Sequence, residues 1–286
     1  MNLHPQDYQL FEVLLKRESG LVITPDKMYL LESRLMPVAA RRGLGGLGDI
    51  AFQLRQDGNA KLLREVVEAM ATSETSFFCD HTPFQRLKDD ILPPLLAARA
   101  VEKKFRIWSA ACASGQEPYS IAMLLHEMPL ASWKYEILGT DMSNDILAKA
   151  DAGIYSQFEV QRGLPVQQLM RHFEKEEHGW RVRPALREKV SFRPFNLLDS
   201  ARPLGLFDII FCRNVLIYFD VQTKIRVLHN LHAALQPGGV LLLGGAETVL
   251  GLTEALQPVE GMQGVYAAAP QKNGCTNAAV LSGRTL

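Results

Sequence analysis

Between Phe105 and Glu247 the chain switches repeatedly between short apolar runs and stretches of helical periodicity. The runs are FRIWSA (105–110), YEILGTD (135–141), VSFRPFNL (190–197), FDIIFCRN (207–214) and VLLLGGAE (240–247). Helical patterns fill most of the gaps, at 118–128, 144–150 and 222–235. Few architectures satisfy strands that alternate with helices in this way. The pattern predicts a mostly parallel sheet with helices covering both faces, an α/β domain. LQPGG, Leu235 to Gly239, reads as a helix stop followed by a turn into the last of these strands.

One segment breaks the alternation. FEKEEHGWRVRPALREKVSF, residues 173–192, is charged, turns at His178-Gly179 and carries strand-like pieces around WRVR. It predicts a small β-subdomain inserted in the α/β domain, the alternative being a solvated connecting loop. Upstream, to Met70, the periodicity is helical: Tyr8, Phe11, Leu14 and Leu15 recur at helical spacing, as do Met28, Leu31, Leu35 and Val38. Thr24 is placed to cap the second helix with Pro25 in its first turn, and Pro37 should kink that helix or end it early. GLGGLGD, Gly43 to Asp49, marks a break before helices at about 50–56 and 60–70. The expected organisation is a helical domain at 1–70, a linker at 71–90, the α/β domain at 91–270 and a disordered tail at 271–286.

Charge narrows the partners. Lys+Arg and Asp+Glu balance at 31 each, so no global field draws nucleic acid or an anionic membrane, and electrostatic recognition must be local. The cysteines, Cys79, Cys112, Cys212 and Cys275, are scattered without metal-ligand spacing, and no metal site is expected. The N-terminus lacks the basic head, apolar stretch and small-residue site of a secretory leader. No apolar run reaches the roughly eighteen residues of a membrane span. These features together predict a cytoplasmic protein with reduced thiols and no membrane insertion.

In open parallel sheets, ligands bind beyond the carboxyl ends of the strands. Those ends read SAACASGQE, GTDMS, FNLLD and CRNVLIYFD, and they offer Glu117, Asp141, Asn196 and Asn214 directly after apolar runs. The first turn resembles a nucleotide turn, yet it has neither the Gly-x-Gly-x-x-Gly of a dinucleotide site nor the Gly-Lys-Ser/Thr of a phosphate loop. Backbone can approach a ligand at Ala113-Ser114-Gly115, and Glu117 could accept from an ammonium group. Asp141, about 25 residues past the glycine, is placed to accept from two ribose hydroxyls, or else to cap the following helix. A ligand with a ribose, an adenine and an amino-acid tail but no phosphate fits the set. S-adenosyl-L-methionine is such a ligand.

The segments SETSFFCD, SAACASGQEPYSIAM and FDIIFCRNVLIYFD resemble the signatures of the CheR family, the chemotaxis receptor glutamate O-methyltransferases, over about residues 8 to 269. The resemblance implies a Rossmann-like methyltransferase domain with a small inserted β-subdomain, preceded by a small all-helical domain. By matching position it implies that Ser73 and Thr75 touch the cofactor's methionine end, with Cys79 beside them. Gly115 and Glu117 fall in the glycine turn, Asp141 on the ribose, Asn196 and Leu197 against the adenine, and Asn214 and Val215 complete the pocket. Ser73 stands where the family commonly has asparagine, which keeps a hydrogen-bonding group. The reaction implied is methyl transfer to receptor glutamates, leaving S-adenosyl-L-homocysteine. A glutamate with a pKa of about 4.3 is already ionised at neutral pH, so alignment and exclusion of water, and not a general base, should carry the catalysis.

Cys79 departs from the pattern. The family usually places there an arginine thought to orient the substrate carboxylate, and cysteine cannot make that charge-assisted, bidentate contact. Arg213 and Tyr218 are the candidates to replace it as catalytic residues; the other readings are a slow enzyme, or a regulator that binds cofactor without turnover. Arg213 could equally form an ordinary ion pair, and Tyr218 could pack on the sheet edge. Lys27, Arg34, Arg41 and Arg42 form a local basic face suited to docking on the cytoplasmic helices of a methyl-accepting chemoreceptor, or simply a solvated face. Family members that hold a receptor tail peptide carry a longer loop than EKEEHGWRVR, so independence of such a tether is expected. The neutral surface argues against a nucleic-acid acceptor, and the missing glycine fingerprint against a nicotinamide oxidoreductase.

Overall fold

The computed structural model describes residues 3–56, 59–71 and 74–269. The tail expected at 271–286, with Cys275, lies outside the described residues. The chain divides into two compact units, Met1–Thr72 with Tyr218–Lys224, and Ser73–Ile217 with Ile225–Leu286.

The first unit contains helices α1 (Pro5–Ser19), α2 (Met28–Arg41), α3 (Leu47–Arg55) and α4 (Ala60–Met70). Their periodic apolar positions, among them Phe11, Leu15, Leu31, Leu35, Ile50, Leu62 and Val66, are fully buried. Burying a side chain of this size stabilises a fold by about 1.5–3 kcal/mol. Gly20 ends α1 in a left-handed conformation, its N–H bonded to the Lys16 carbonyl, and the Asn59 side chain caps α4 by accepting from Leu62 N. Two expectations change here. Thr24 precedes a short 3-10 turn, Pro25–Lys27, and its side chain makes no capping bond to the backbone; the α-helix starts only at Met28. Pro37 neither ends nor shortens α2, which continues to Arg41. Both Pro37 and Ser33 are exposed, so the carbonyl that loses its helical partner can turn to water. Residues 218–224 join this unit through a backbone bridge between Leu21 and Phe219, a bond from Val22 N to the Tyr218 carbonyl (3.1 Å), and an ion pair of Lys16 with Asp220 (2.7 Å).

The second unit opens with helical segments α5 (Thr82–Arg86), a π turn (Leu87–Ile91) and α6 (Leu92–Ala98). There follow β1 (Lys104–Ala110), α7 (Gln116–His126), β2 (Lys134–Asp141), α8 (Asn144–Ala152), β3 (Ile154–Tyr155), α9 (Gln157–Gln161) and α10 (Val166–His172). Next come β4 (Phe173–Glu176), β5 (Gly179–Val182), α11 (Pro184–Arg187), β6 (Val190–Pro194), β7 (Phe207–Cys212), α12 (Val221–Ala233), β8 (Leu235–Leu243), β9 (Leu256–Pro258) and β10 (Val265–Ala268). A seven-stranded sheet has the order β6-β2-β1-β7-β8-β10-β9. Its first five strands are parallel; β10 pairs antiparallel with β8, and β9 antiparallel with β10. This is the expected Rossmann-like α/β fold. Ile107, Ile137, Ile209, Phe211 and Leu242 from the sheet share one buried cluster with Tyr119, Ile121 and Met123 of α7 and with Phe84, Leu87 and Ile91.

Four boundaries shift. The segment expected to be a linker to residue 90 is helical from Thr82. The β-subdomain is a three-stranded sheet of order β3-β5-β4 whose outer strand comes from Ile154–Tyr155, upstream of the 173–192 hairpin. Val190–Pro194 pairs with β2 in the main sheet, as the run VSFRPFNL predicted, so the subdomain ends before residue 192. LQPGG is itself strand: β8 begins at Leu235, with a register irregularity opposite Phe207/Ile209.

Candidate functional site

The carboxyl ends of β1, β2, β6 and β7 carry the polar residues the sequence offered. After β1 the backbone alternates into left-handed conformations at Ala111 (φ 58°), Ala113 (φ 48°) and Gly115 (φ 91°). The turn is held from outside. Cys112 N donates to the Thr140 carbonyl (2.8 Å), Ala113 N to Asp141 Oδ2 (3.0 Å), and the Tyr155 hydroxyl to the Ser114 carbonyl (2.7 Å). A side chain at Gly115 would bring its Cβ to 2.9 Å from Ala150 Cβ and 3.0 Å from the Tyr155 hydroxyl, so glycine is required by space as well as by φ.

Asp141 ends β2. Its Oδ2 accepts from Ala113 N and its Oδ1 from Ser143 N (3.1 Å). It is not the cap of α8; Ser143 is, through its hydroxyl and Ile146 N. Burial pushes the Asp141 carboxyl above the usual carboxylate range, partly offset by backbone N–H groups of Ser143, Ala113 and Met142. A carboxylate offers about four lone-pair sites, so Asp141 keeps acceptor capacity for a ligand hydroxyl beside these N–H groups.

Arg213 follows β7 with its side chain only 3% exposed. Its Nη1 donates to Glu117 Oε2 (3.0 Å), and its Nη2 donates to Asp80 Oδ2 (2.6 Å) and the Cys79 carbonyl (3.0 Å). Burial opposes its charge, but the Glu117 and Asp80 carboxylates outweigh that and raise its pKa. Glu117 also accepts from the Ser109 hydroxyl (2.7 Å). The arginine thus ties the start of α7 to the segment Phe78–His81, where Phe78, Asp80 and His81 all have positive φ. Such backbone is uncommon for non-glycine residues and persists where surrounding contacts over-determine it. Phe78 N is held as well, by the Ser120 hydroxyl (2.9 Å).

Glu247 is the residue at this site that sequence reasoning missed. Buried beyond the end of β8, its Oε2 accepts from Asn214 N (2.9 Å) and Gly244 N (2.7 Å), and its Oε1 from Val215 N (2.9 Å) and Leu216 N (2.7 Å). Asn214 has φ 60°, and the four bonds hold this loop in place beside Arg213. Gly244 is needed for the approach: a Cβ there would lie 2.8 Å from Glu247 Oε2. The acid in VLLLGGAE, after a strand and two glycines, was the available signal.

Residues 73–265 match the family described as CheR methyltransferase, SAM binding domain, and residues 6–71 match the CheR methyltransferase all-alpha domain. The chain belongs to the CheR methyltransferase family. It is 42% identical over 265 residues to "Chemotaxis protein methyltransferase 1" of Pseudomonas aeruginosa, covering 91% of this chain and 96% of that one. It is 40% identical to "Chemotaxis protein methyltransferase Cher2" of Pseudomonas putida, with the same coverage of 91% and 96%. To "Chemotaxis protein methyltransferase" of Vibrio parahaemolyticus it is 38% identical, over 93% of this chain and 97% of that one.

S-adenosylmethionine is the cofactor of the CheR domain, and the residues present fit it: the Gly115 turn gives the close backbone approach and Asp141 keeps acceptor capacity for a ribose. The other expected contacts distribute as follows. Asn196 Oδ1 accepts from Leu198 N (3.0 Å), and the carbonyl of buried Leu197 accepts from Asn230 Nδ2 (3.1 Å), which fixes the strand end after β6. Thr75 is half-buried, and Ser73 lies outside the described residues. Tyr218 belongs to the helical unit, so Arg213 and Tyr218, paired in the sequence reading, fall in different units. Of the basic face, Lys27 and Arg41 are exposed, whereas Arg42 forms a two-bond pair with Glu65 (2.8 and 2.9 Å) and Arg34 Nη1 donates to the Met70 carbonyl (2.6 Å). Cys112 and Cys212 are buried and burial pushes their thiols up, which leaves them unreactive. Among the described residues no helix is long and apolar enough to cross a membrane, and no group of three His, Cys, Asp or Glu could hold a metal.

Proposed function

We propose that this CheR-family methyltransferase acts in the cytoplasm on glutamate side chains of chemoreceptor helices, forming methyl esters. The observation that carries the reading is the state of the site's acids. Glu117 is bonded to Arg213 and Ser109, Asp80 to Arg213, Asp141 to backbone N–H groups and Glu247 to four of them. Carboxylates engaged in this way position groups. An acceptor that is ionised at neutral pH suits such a site, and a glutamate, with pKa about 4.3, is one. The chemotaxis names of the relatives support the same pathway.

When bound, S-adenosylmethionine supplies a methyl group activated by its sulfonium. Gly115, Asp141, Asn196, Leu197, Asn214 and Val215 would hold it, with Ser73, Thr75 and Cys79 at its methionine end. Glu117 and Arg213 act on the geometry from behind, through the 78–81 segment and the start of α7. Receptor docking falls to the basic face, with Lys27 and Arg41 exposed and Arg34 and Arg42 bracing α2 against Met70 and Glu65. The two-residue link between β4 and β5 supports independence of a receptor tail peptide; micromolar binding of such a peptide would overturn that part.

The deciding experiment incubates the protein with methyl-labelled S-adenosylmethionine and receptor-containing membranes, then treats the receptor band with mild base. Base-labile label is expected, because esters hydrolyse and methylated amines do not. The second reading, a cofactor-loaded regulator without turnover, rests on the cysteine at position 79. Retained cofactor binding with no ester on receptors of the source organism would favour it and sink the first.

A further inference from the structure

A pocket of about 340 Å³ opens beside Asn214, on the side of the site away from Asp141. Its walls include Asp80, with Thr82 and Arg86 from the two ends of α5, Asn214, and Leu242 and Val265 from β8 and β10. Arg86 is the one cation among the lining residues. One of its N–H groups donates to the Gln263 carbonyl (2.6 Å), which fixes the stem. A guanidinium carries five N–H donors, so most of the fork is left for a ligand, and no other hydrogen bond of it occurs among the described residues. The wall's acid, Asp80, already has its Oδ2 on Arg213.

We infer that this pocket seats the acceptor side chain and that Arg86 is the positioning residue for its carboxylate, an assignment that rests on the glutamate reading above. An apolar floor with a single guanidinium at the rim matches a glutamate, two methylenes ending in a carboxylate. A charge-assisted bond to an ionised acceptor is about twice as strong as a neutral one, so the pocket selects glutamate over isosteric glutamine. The ester product carries no charge and loses that contact, which favours its release. Because Arg86 is only half-buried, water weakens its hold, and an acceptor that must give up its charge is not gripped too tightly.

The test uses the full chain and its Arg86→Gln and Arg86→Lys variants. Ester formation is measured against the concentration of a receptor cytoplasmic fragment at saturating S-adenosylmethionine. Calorimetry gives the affinity for S-adenosylhomocysteine, and for the fragment with S-adenosylhomocysteine bound. For Arg86→Gln we expect kcat/KM for the fragment to fall at least tenfold, with S-adenosylhomocysteine affinity within twofold and an unchanged melting temperature; Arg86→Lys should recover at least threefold. Wild-type kinetics in Arg86→Gln would overturn the assignment. So would a tenfold loss of S-adenosylhomocysteine affinity, which would give the pocket to the cofactor. If the wild type binds the fragment but forms no ester, the glutamate reading falls, and equal fragment affinity in wild type and Arg86→Gln then overturns the pocket as well.

Discussion

Glu247 organises its loop with nothing but main-chain partners. Four N–H groups converge on its two oxygens, and a carboxylate can accept all four because it offers about four lone-pair directions. In Glu247→Gln one oxygen remains and an NH2 group faces donors, so at least one buried N–H loses its acceptor. An unsatisfied buried donor costs about 1–3 kcal/mol. We therefore expect Glu247→Gln to destabilise the protein by about 2–3 kcal/mol in denaturant unfolding and to weaken S-adenosylhomocysteine binding at least tenfold by calorimetry. Unchanged affinity would remove Glu247 from the positioning of Asn214 and Val215. The contrast with Asp141 shows what a sequence can display. Asp141 was legible because an acid at the end of the second strand has a position with meaning in an open parallel sheet. Glu247 was not, because every residue has a backbone N–H and the choice of partners leaves no trace in side-chain identity. Arg213 was legible as a polar residue at a strand end, but its partners, Glu117 and Asp80, lie 96 and 133 residues away. Only the fold reveals that its guanidinium is spent on them.

Among the elements, the parallel strands were readable and the helical stretch 82–98 was not. It contains Pro83, Pro93 and Pro94, which ordinarily interrupt helices. In the structure Pro83 sits in the first turn of α5, where its missing N–H has no partner to lose, and the π turn Leu87–Ile91 lies immediately ahead of Pro93-Pro94. The antiparallel β9 and β10 escaped notice because they are three and four residues long. Helix α12 offers an electrostatic prediction. Asp220 precedes it, accepts from Thr223 N (2.8 Å) and pairs with Lys16. The Lys16 ammonium, then the Thr223 N–H, hold the Asp220 carboxyl at about 2. A folded pKa below the unfolded value near 3.9 means stability that is present above about pH 4 and lost as the pH falls towards 2. Asn caps a helix as well as Asp does, so Asp220→Asn removes the charge and keeps the cap. We expect Asp220→Asn to cost about 0.5–1 kcal/mol at pH 7, a value limited by solvent screening of a partly exposed pair. The difference from wild type should narrow on acidification from pH 5 to 3. A gap that stays constant across that range would mean the pair with Lys16 contributes nothing.

At the scale of the whole chain, the two-part organisation was legible from the change in periodicity near Phe105, but the membership of residues 218–224 was not. That segment is a sequence neighbour of β7, yet it belongs to the helical unit. Sequence periodicity reports local structure, and nothing local marks a return across some 200 residues. The consequence can be measured. A unit of about 70 residues buries a modest fraction of its surface and has little stability to spare. Without 218–224 it would lose the Leu21–Phe219 bridge, the bond from Val22 N to the Tyr218 carbonyl and the Lys16–Asp220 pair. Residues 1–72 expressed alone should keep the helical circular dichroism of α1 to α4, since their core side chains come from within the segment. Their melting midpoint should nevertheless fall by at least about 4 °C relative to the helical transition of the intact chain, the shift that about 1 kcal/mol produces in a domain this small. Amide hydrogen exchange gives the local readout: Val22 N–H should be protected in the full chain and exchange freely in the fragment, while the Gly20 N–H, bonded within α1 to Lys16, keeps its protection in both. Equal protection of Val22 in the two would show that residues 1–72 are self-sufficient and that the 218–224 segment adds nothing to them.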